Sequence, residues 1–394
     1  MKKQIFTGAL LGLVPSAASA AGYYLPNQDA FATARGNAFV ATADSAAAVF
    51  YNPAGMTQIK KPEAQVGVYS IVLGNDATVL GEKTHANDEL QAAPHVYYAQ
   101  PYNDRLSYGF GLNSPFGLGT DWGRNNNFSP VVTEARLLFV SATSAVAYKV
   151  TDQLSLGASF SVNYADLTLE QGLGAPGSFL KFNGDDVGFA GAVGARWQPH
   201  EQHAFGLTYN SGSSYDLKGK TESNLLTDDH SAQMDFMTPD RIVGGYSYRP
   251  APGWNIEANV EWLNWDSLNT LHLQTSTVPG TSTVPITFDW KSSFIYELGG
   301  SYTTDEGYVF AAGYDLNCNS QPDENFTPGV SDADRSWFNL GFGRKCEVYS
   351  WMLAYQFGYS NRTVTGAGGA LAPVTNGKYE SRHNALIFSW TQNF

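Results

Sequence analysis

Apolar and polar residues alternate along most of this chain. Leu154, Leu156, Ala158, Phe160, Val162 and Tyr164 are separated by Ser155, Gly157, Ser159, Ser161 and Asn163. The same period of two runs through Val187, Phe189, Val193 and Trp197. It returns in Tyr349, Trp351, Leu353, Tyr355, Phe357 and Tyr359. Successive side chains of a strand point to opposite faces, so each stretch has one apolar face and one small or polar face. Fourteen stretches of this kind can be marked. They lie near 63–73, 91–100, 105–118, 134–150, 154–169, 185–199, 203–220, 239–250, 254–273, 286–303, 307–317, 334–344, 347–360 and 379–394. Short, turn-rich links (102–104, 151–153, 200–202, 251–253) alternate with long ones (74–90, 119–133, 170–184, 221–238, 274–285, 318–333, 361–378). In a soluble sandwich the apolar face would point inward. In a membrane barrel it points to lipid, and short turns gather at the periplasmic end. Alternation alone does not choose between them.

The start of the chain and its composition choose the barrel. Lys2 and Lys3, an apolar run from Ile5 to Val14 and the small residues Ala18-Ser19-Ala20 predict a signal peptide over residues 1–20. The rest contains no apolar run near the ~18 residues of a membrane helix. The full chain is rich in Gly (40), Tyr (22) and Phe (23), as a lipid-facing strand wall requires. The net charge of −13 argues against a nucleic-acid partner, which needs clustered Lys and Arg. The C-terminal strand carries Leu386, Phe388 and Trp390 and ends in Phe394, the kind of terminus that barrel-assembly machinery reads. The expected fold is therefore all-β: a 14-stranded antiparallel transmembrane barrel over residues 63–394. The two cysteines, Cys318 and Cys346, fall at opposite ends of that topology, too far apart for a disulfide.

Residues 21–62 lack the strand pattern. A barrel of fourteen strands encloses a lumen too wide for its own side chains to fill, so this segment is expected to plug it. Within it, "DSAAAVFYNPAGMTQI" (44–59) predicts one or two helical turns capped by Asp44 or Ser45. They break at Asn52, Pro53 and Ala54, because the residue before proline leaves the helical region. A second break falls in the wall. Leu106, Tyr108, Phe110 and Leu112 alternate, and then Ser114, Pro115, Phe116 and Gly117 arrive. Proline cannot donate to a ladder, so these residues either end the strand in a loop or kink it.

These features together resemble a known family. Ala21-Gly22-Tyr23, Ala34-Arg35-Gly36, Asp44 to Ala48 and Asn52-Pro53-Ala54 resemble the N-terminal hatch of the long-chain fatty acid transporter family (FadL), which includes the aromatic hydrocarbon importers of the TodX type. "NSPFGLGTDWGR" (113–124) and "SDADRSW" (331–337) are further matches, with Ser331 where the family usually has proline. The resemblance implies a hatch-plugged monomeric barrel that takes up hydrophobic compounds. It implies an inward kink at Ser114–Gly117 that opens the wall sideways to membrane lipid, and a gating role for Asn52, Pro53 and Ala54 near that kink. Lipopolysaccharide surrounds such a barrel on the outside.

Candidate ligand contacts are Leu173, Phe179, Leu180 and Phe182, which form either an outer apolar landing site or a loop packed on itself. Glu257, Glu261 and Glu297 face the lumen, where Arg136, Arg196, Lys291 and Arg335 offer partners; structural ion pairing is the expected use. No basic cluster stands near 170–184 to hold a carboxylate, so neutral aromatic hydrocarbons remain an alternative ligand class. Of the seven histidines only His200 and His203 are close, in a tight turn, so neither an enzyme site nor a metal site is expected, and no cofactor is implied. An open general porin is the other alternative, which the plug argues against.

Overall fold

The computed structural model describes residues 22–87, 90–225, 229–277, 282–368 and 374–394. The expected signal peptide lies outside these residues. Among them, twenty strand segments join in one sheet, and nineteen of them make the fourteen staves of a closed antiparallel barrel. The staves are β1 (Glu63–Val79), β2 (Leu90–Pro101), β3 (Leu106–Asn113 and Leu118–Asp121), β4 (Glu134–Lys149), β5 (Leu154–Gly172) and β6 (Phe179–His200). β7 is His203–Asn210 with Ser213–Ser223, β8 is His230–Thr238 with Arg241–Tyr248, and β9 is Trp254–Leu263 with Thr270–Thr275. β10 is Thr283–Thr287 with Ser293–Thr303, followed by β11 (Tyr308–Asn317), β12 (Arg335–Lys345), β13 (Tyr349–Val364) and β14 (Gly377–Asn393). A short strand, Glu82–His85, folds back on the end of β1. β14 pairs with β1 from Glu63↔Asn393 to Val79↔Gly377 and closes the wall.

Burial is inverted relative to a soluble sandwich. On β13, Leu353 and Tyr355 are 45% and 42% exposed, while Met352 and Ala354 between them are buried. Large apolar side chains cover the outside of every stave, which is stable only against lipid.

The boundaries differ from the sequence pattern in two ways. Five staves are broken: β3 at Ser114–Gly117, β7 at Ser211-Gly212, β8 at Pro239-Asp240, β9 by a 3-10 turn at Trp265–Ser267, and β10 at 288–292. Several staves also run beyond the predicted ends into segments read as loops, as β5 and β6 do across 170–184. The outer faces of these ends stand above the lipid, so lipid-facing apolar residues do not mark them.

The N-terminal segment lies inside the barrel. It forms α1 (Ala30–Ala34), α2 (Ala48–Tyr51) and a 3-10 turn, Pro53–Gln58. Asp29 caps α1 by accepting the Ala32 N–H at 2.9 Å. The predicted cap at Asp44 or Ser45 is not made, because α2 begins only after Ala47. Asn52 instead caps the 3-10 turn, accepting the Ala54 N–H at 3.2 Å.

Charged lumen residues hold this segment by its backbone. Glu257 on β9 accepts the Ala41 and Thr42 N–H groups at 2.8 and 3.0 Å and lies 3.5 Å from Arg35, all fully buried. Arg196 on β6 donates to the Ala41 carbonyl at 2.8 Å. Glycines give the backbone room to approach the wall. A β-carbon at Gly299 would overlap the Arg35 carbonyl, and one at Gly206 the Val40 carbonyl. Gly299→Ala should therefore destabilise the filled barrel by about 1–3 kcal/mol, the usual range for overpacking. Gly191→Ala, whose β-carbon meets nothing closer than 3.4 Å, should be neutral. Thermal unfolding of the two purified variants in detergent checks the difference; equal midpoints would contradict the close fit.

Candidate functional site

The barrel wall is incomplete at one place. β2 and β3 pair from Pro101↔Ser107 to Val96↔Leu112 and no further. On its other side, β3 stays with β4 but loses register. Five residue steps on β3, Asn113 to Leu118, span four on β4, Ser141 to Leu137. One extra residue is thus inserted, and inward and outward faces exchange across the kink, as a bulge requires. Leu90–His95 of β2 are left with no ladder partner on that side. Farther out, single contacts lace the gap: Gln91 Nε2 donates to the Gly119 carbonyl, and the Asn87 N–H to the Asp121 carbonyl, both at 2.8 Å.

The backbone groups released by the kink are taken up from inside. Gln28 accepts the Ser114 N–H at 3.2 Å and donates to the Ser114 carbonyl at 2.9 Å. The Leu25 N–H donates to the Pro115 carbonyl, and the Gly117 N–H to the Tyr23 carbonyl, both at 2.9 Å. Tyr24 and Phe116 form an antiparallel bridge. The first residues of the N-terminal segment therefore act as a short strand paired to the kink. Asn52, Pro53 and Ala54 sit elsewhere. Asn52 Nδ2 donates to the Ala195 carbonyl at 3.1 Å, and β-carbons at Gly157 and Gly194 would strike this tripeptide, so it packs on β5 and β6.

An inner cavity of about 180 Å³ opens at the kink. Ser114, Phe116 and Gly117 line it with Leu25, Ile71 and Phe139. So do Ala92 and Leu138, which belong to the outward-facing set of their strands. The cavity therefore reaches both sides of the wall. A second cavity of about 280 Å³ forms an outer groove lined by Val132, Leu180, Phe182, Met234, Leu273 and Phe326. One cluster of buried apolar residues runs between the two. Phe182, Met234 and Leu273 belong to it at the groove, and Leu137, Phe139 and Phe116 at the kink.

The predicted contacts divide accordingly. Leu180 and Phe182 line the groove from the start of β6 rather than from a loop. Phe179 stays at the rim beneath the Arg124 guanidinium, 3.8 Å from its ring centre, and Leu173 is exposed on the turn. Of the lumen charges, Arg241 pairs with Glu261 at 2.7 Å and reaches the Tyr24 hydroxyl, and Glu297 accepts from Asn259 at 2.8 Å. Arg335 instead lines the inner cavity, with its Nε buried and without a hydrogen-bond partner among the described residues. The sequence pattern did not mark Tyr23, Leu25 or Gln28 as kink partners. Nor did it distinguish Arg335 from the other lumen cations, although Arg335 lies in the "SDADRSW" stretch. Cys318 and Cys346 are unpaired.

Replacing Gln28 by leucine leaves two partly buried backbone groups of Ser114 without partners, a cost of about 1–3 kcal/mol each. Amide exchange at Phe116 and Gly117 should then quicken while that of Gly109 and Gly111 stays slow. Hydrogen-exchange mass spectrometry reads this directly, and unchanged exchange at the kink would contradict the pairing.

This architecture has known counterparts. The family model described as "Outer membrane protein transport protein (OMPP1/FadL/TodX)" matches residues 11–351. A long-chain fatty acid transport protein of Salmonella typhi is 23% identical over 345 residues, covering 76% of this chain and 78% of its own. A putative outer membrane protein of Neisseria meningitidis is 25% identical over 85% of both chains. Among solved structures, a Pseudomonas aeruginosa FadL homologue superposes with a TM-score of 0.85 at 18% identity, over 95% of this chain and all of that one. The Pseudomonas putida toluene transporter TodX does so with a TM-score of 0.74 at 16% identity, over 96% and 99%. With an outward-apolar barrel, a broken wall and this match over most of its length, the chain belongs to the OMPP1/FadL/TodX family of outer-membrane transport proteins.

Proposed function

We propose that this protein takes hydrophobic compounds from the outer surface into the outer membrane by lateral release. Guests bind first in the groove at Leu180, Phe182 and Phe326. They pass along the apolar cluster to the inner cavity and leave through the gap between β2 and β3. The observation that carries this reading is the cavity at the kink, lined by inward and outward residues where the ladder is broken. Release into water would re-expose apolar surface at roughly 25 cal/mol per Å², and release into lipid avoids that cost. Residues 22–62 serve as the plug that excludes polar solutes, with Asn52, Pro53 and Ala54 setting its turn against β5 and β6. Phe394 is read by the assembly machinery, and the barrel works as a monomer among lipopolysaccharide.

An apolar chain with a polar end suits the inner cavity better than a bare hydrocarbon. Arg335 offers a buried donor there, in a wall that sets Ile71, Phe139 and Trp337 beside the Asp332 carboxylate. Long-chain fatty acids are such compounds. The name of the Salmonella typhi relative supports this choice, and the fold of the toluene transporter supports the alternative of neutral aromatics.

The test is uptake of labelled oleate and labelled toluene by a bacterium lacking its own fatty acid transporter. Oleate uptake above the empty vector is expected. Deleting Pro115 alone removes the extra residue, restores the β3–β4 register and lets the β2–β3 ladder extend. Uptake should fall to the vector level while the barrel keeps its heat-modifiable mobility. Undiminished uptake by that variant would refute lateral release; toluene uptake without oleate uptake would refute the choice of substrate.

A further inference from the structure

The outer groove and the inner cavity share one wall. Phe326 and Thr327 line the groove, and Val330, Ser331 and Asp332, a few residues on, line the cavity. Between them Gly329 packs against Val132 and Ala135, and Val330 packs on the apolar cluster that joins the two spaces. The segment is therefore a partition lying across the route. It belongs to the 318–334 loop between β11 and β12.

Two side chains from elsewhere in the fold hold this loop: the Trp122 indole N–H donates to the Pro328 carbonyl at 2.9 Å, and Arg362 ties the two ends together. Arg362, near the outer end of β13, donates to the Asn319 side-chain oxygen at 2.8 Å, the Gln321 carbonyl at 2.7 Å and the Asp332 carbonyl at 2.6 Å. It also reaches Asp323 Oδ1 from Nε at 3.2 Å and from Nη2 at 2.5 Å. Its guanidinium lies 4.9 Å from the centre of the Phe326 ring. One rigid fork thus holds groove-lining Phe326 and cavity-lining Asp332 at once, a geometry that lysine cannot copy. Ser320 closes the base of the loop, giving its N–H and hydroxyl to Asp332 Oδ2 at 3.1 and 2.8 Å. Asp332 Oδ1, by contrast, is buried without a hydrogen-bond partner among the described residues. The Arg362 side chain is only 10% exposed, so its charged hydrogen bonds are partly shielded from water and salt.

We propose that the 318–334 loop is the partition a guest must displace between groove and cavity, and that Arg362 is the positioning residue that sets its closed place. This rests on the uptake reading above. Phe326 of the loop also lines the groove, so the loop forms part of the landing site, and its displacement governs the rate of passage.

A disulfide can lock the loop. The Gly368 N–H donates to the Glu324 carbonyl at 2.8 Å, and a β-carbon at 368 would lie 3.1 Å from Glu324 Cγ, so E324C and G368C are in bonding reach. Cys318 and Cys346 are first replaced by serine. In the full-length protein in cells, oxidation of E324C/G368C should lower the maximal rate of oleate uptake about tenfold relative to the same variant kept reduced, and reductant should restore it. A disulfide confirmed by gel mobility that leaves the rate unchanged overturns the partition. Absence of uptake by the unlocked parent would instead overturn the uptake reading. In the same cysteine-free parent, Ser331→Cys reports access to the cavity. Arg362→Gln should speed its reaction with an external thiol reagent about fivefold, with Arg362→Lys in between, because the loop opens more often. Equal labelling in all three, with the folded barrel's mobility retained, overturns the role of Arg362.

Discussion

A strand wall inside a bilayer must satisfy every backbone N–H and C=O, because hydrocarbon offers no partner. A hole in such a wall is therefore costly unless something inside supplies the missing hydrogen bonds. Here that supply comes from Tyr23, Leu25 and Gln28, which pair with Ser114, Pro115 and Gly117. The opening and the N-terminal segment are thus one device. The kink exists because the segment satisfies it, and the segment is held at its first residues because the kink presents free groups.

The same economy explains the lumen. Fourteen staves enclose more space than their own side chains fill, and the N-terminal segment fills the inner half. Its backbone comes so close to β5, β7, β10 and β11 that only glycine fits at Gly157, Gly206, Gly299 and Gly313. Glu257 and Arg196 then meet its exposed amide and carbonyl groups at Ala41 and Thr42. Charges that look like a binding site in the sequence are mostly spent on this internal docking. The apolar cluster from Phe182 to Phe116 is left as the route through the upper half, and Arg335 as a cation beside the inner cavity.

Much of this is legible in the sequence, because period-two alternation is a local property. The staves of the lipid-facing wall, the plugging segment and the interruption at Pro115 can all be read from neighbours along the chain. What escapes is set by distant partners. Gln28 meets Ser114 across 86 positions, and no local pattern marks Gln28 out from the polar residues around it. The outer ends of β5, β6 and β7 lose the alternation because they project above the lipid, where Lys218 and Lys220 can face outward without penalty. The breaks in β7 and β9 are carried by Ser211-Gly212 and by Trp265-Asp266-Ser267, short interruptions between strand stretches that continue on either side. Asn52-Pro53-Ala54 was easily found as a turn, but its seat on β5 and β6 depends on glycines more than a hundred positions away.

The central claim is that guests leave through the side of the barrel. A fatty acid carrying a photoreactive group on its chain, supplied from outside to cells making this protein, would record the path in its covalent adducts. Mass mapping should find adducts at Phe182 or Phe326, at Phe116 or Phe139, and at the outward-facing Ala92 or Leu138. Adducts at the groove and then around Lys60, Lys61 and Glu63 at the periplasmic mouth, with none at Ala92 or Leu138, would mean the guest passes straight through the barrel and would contradict the account.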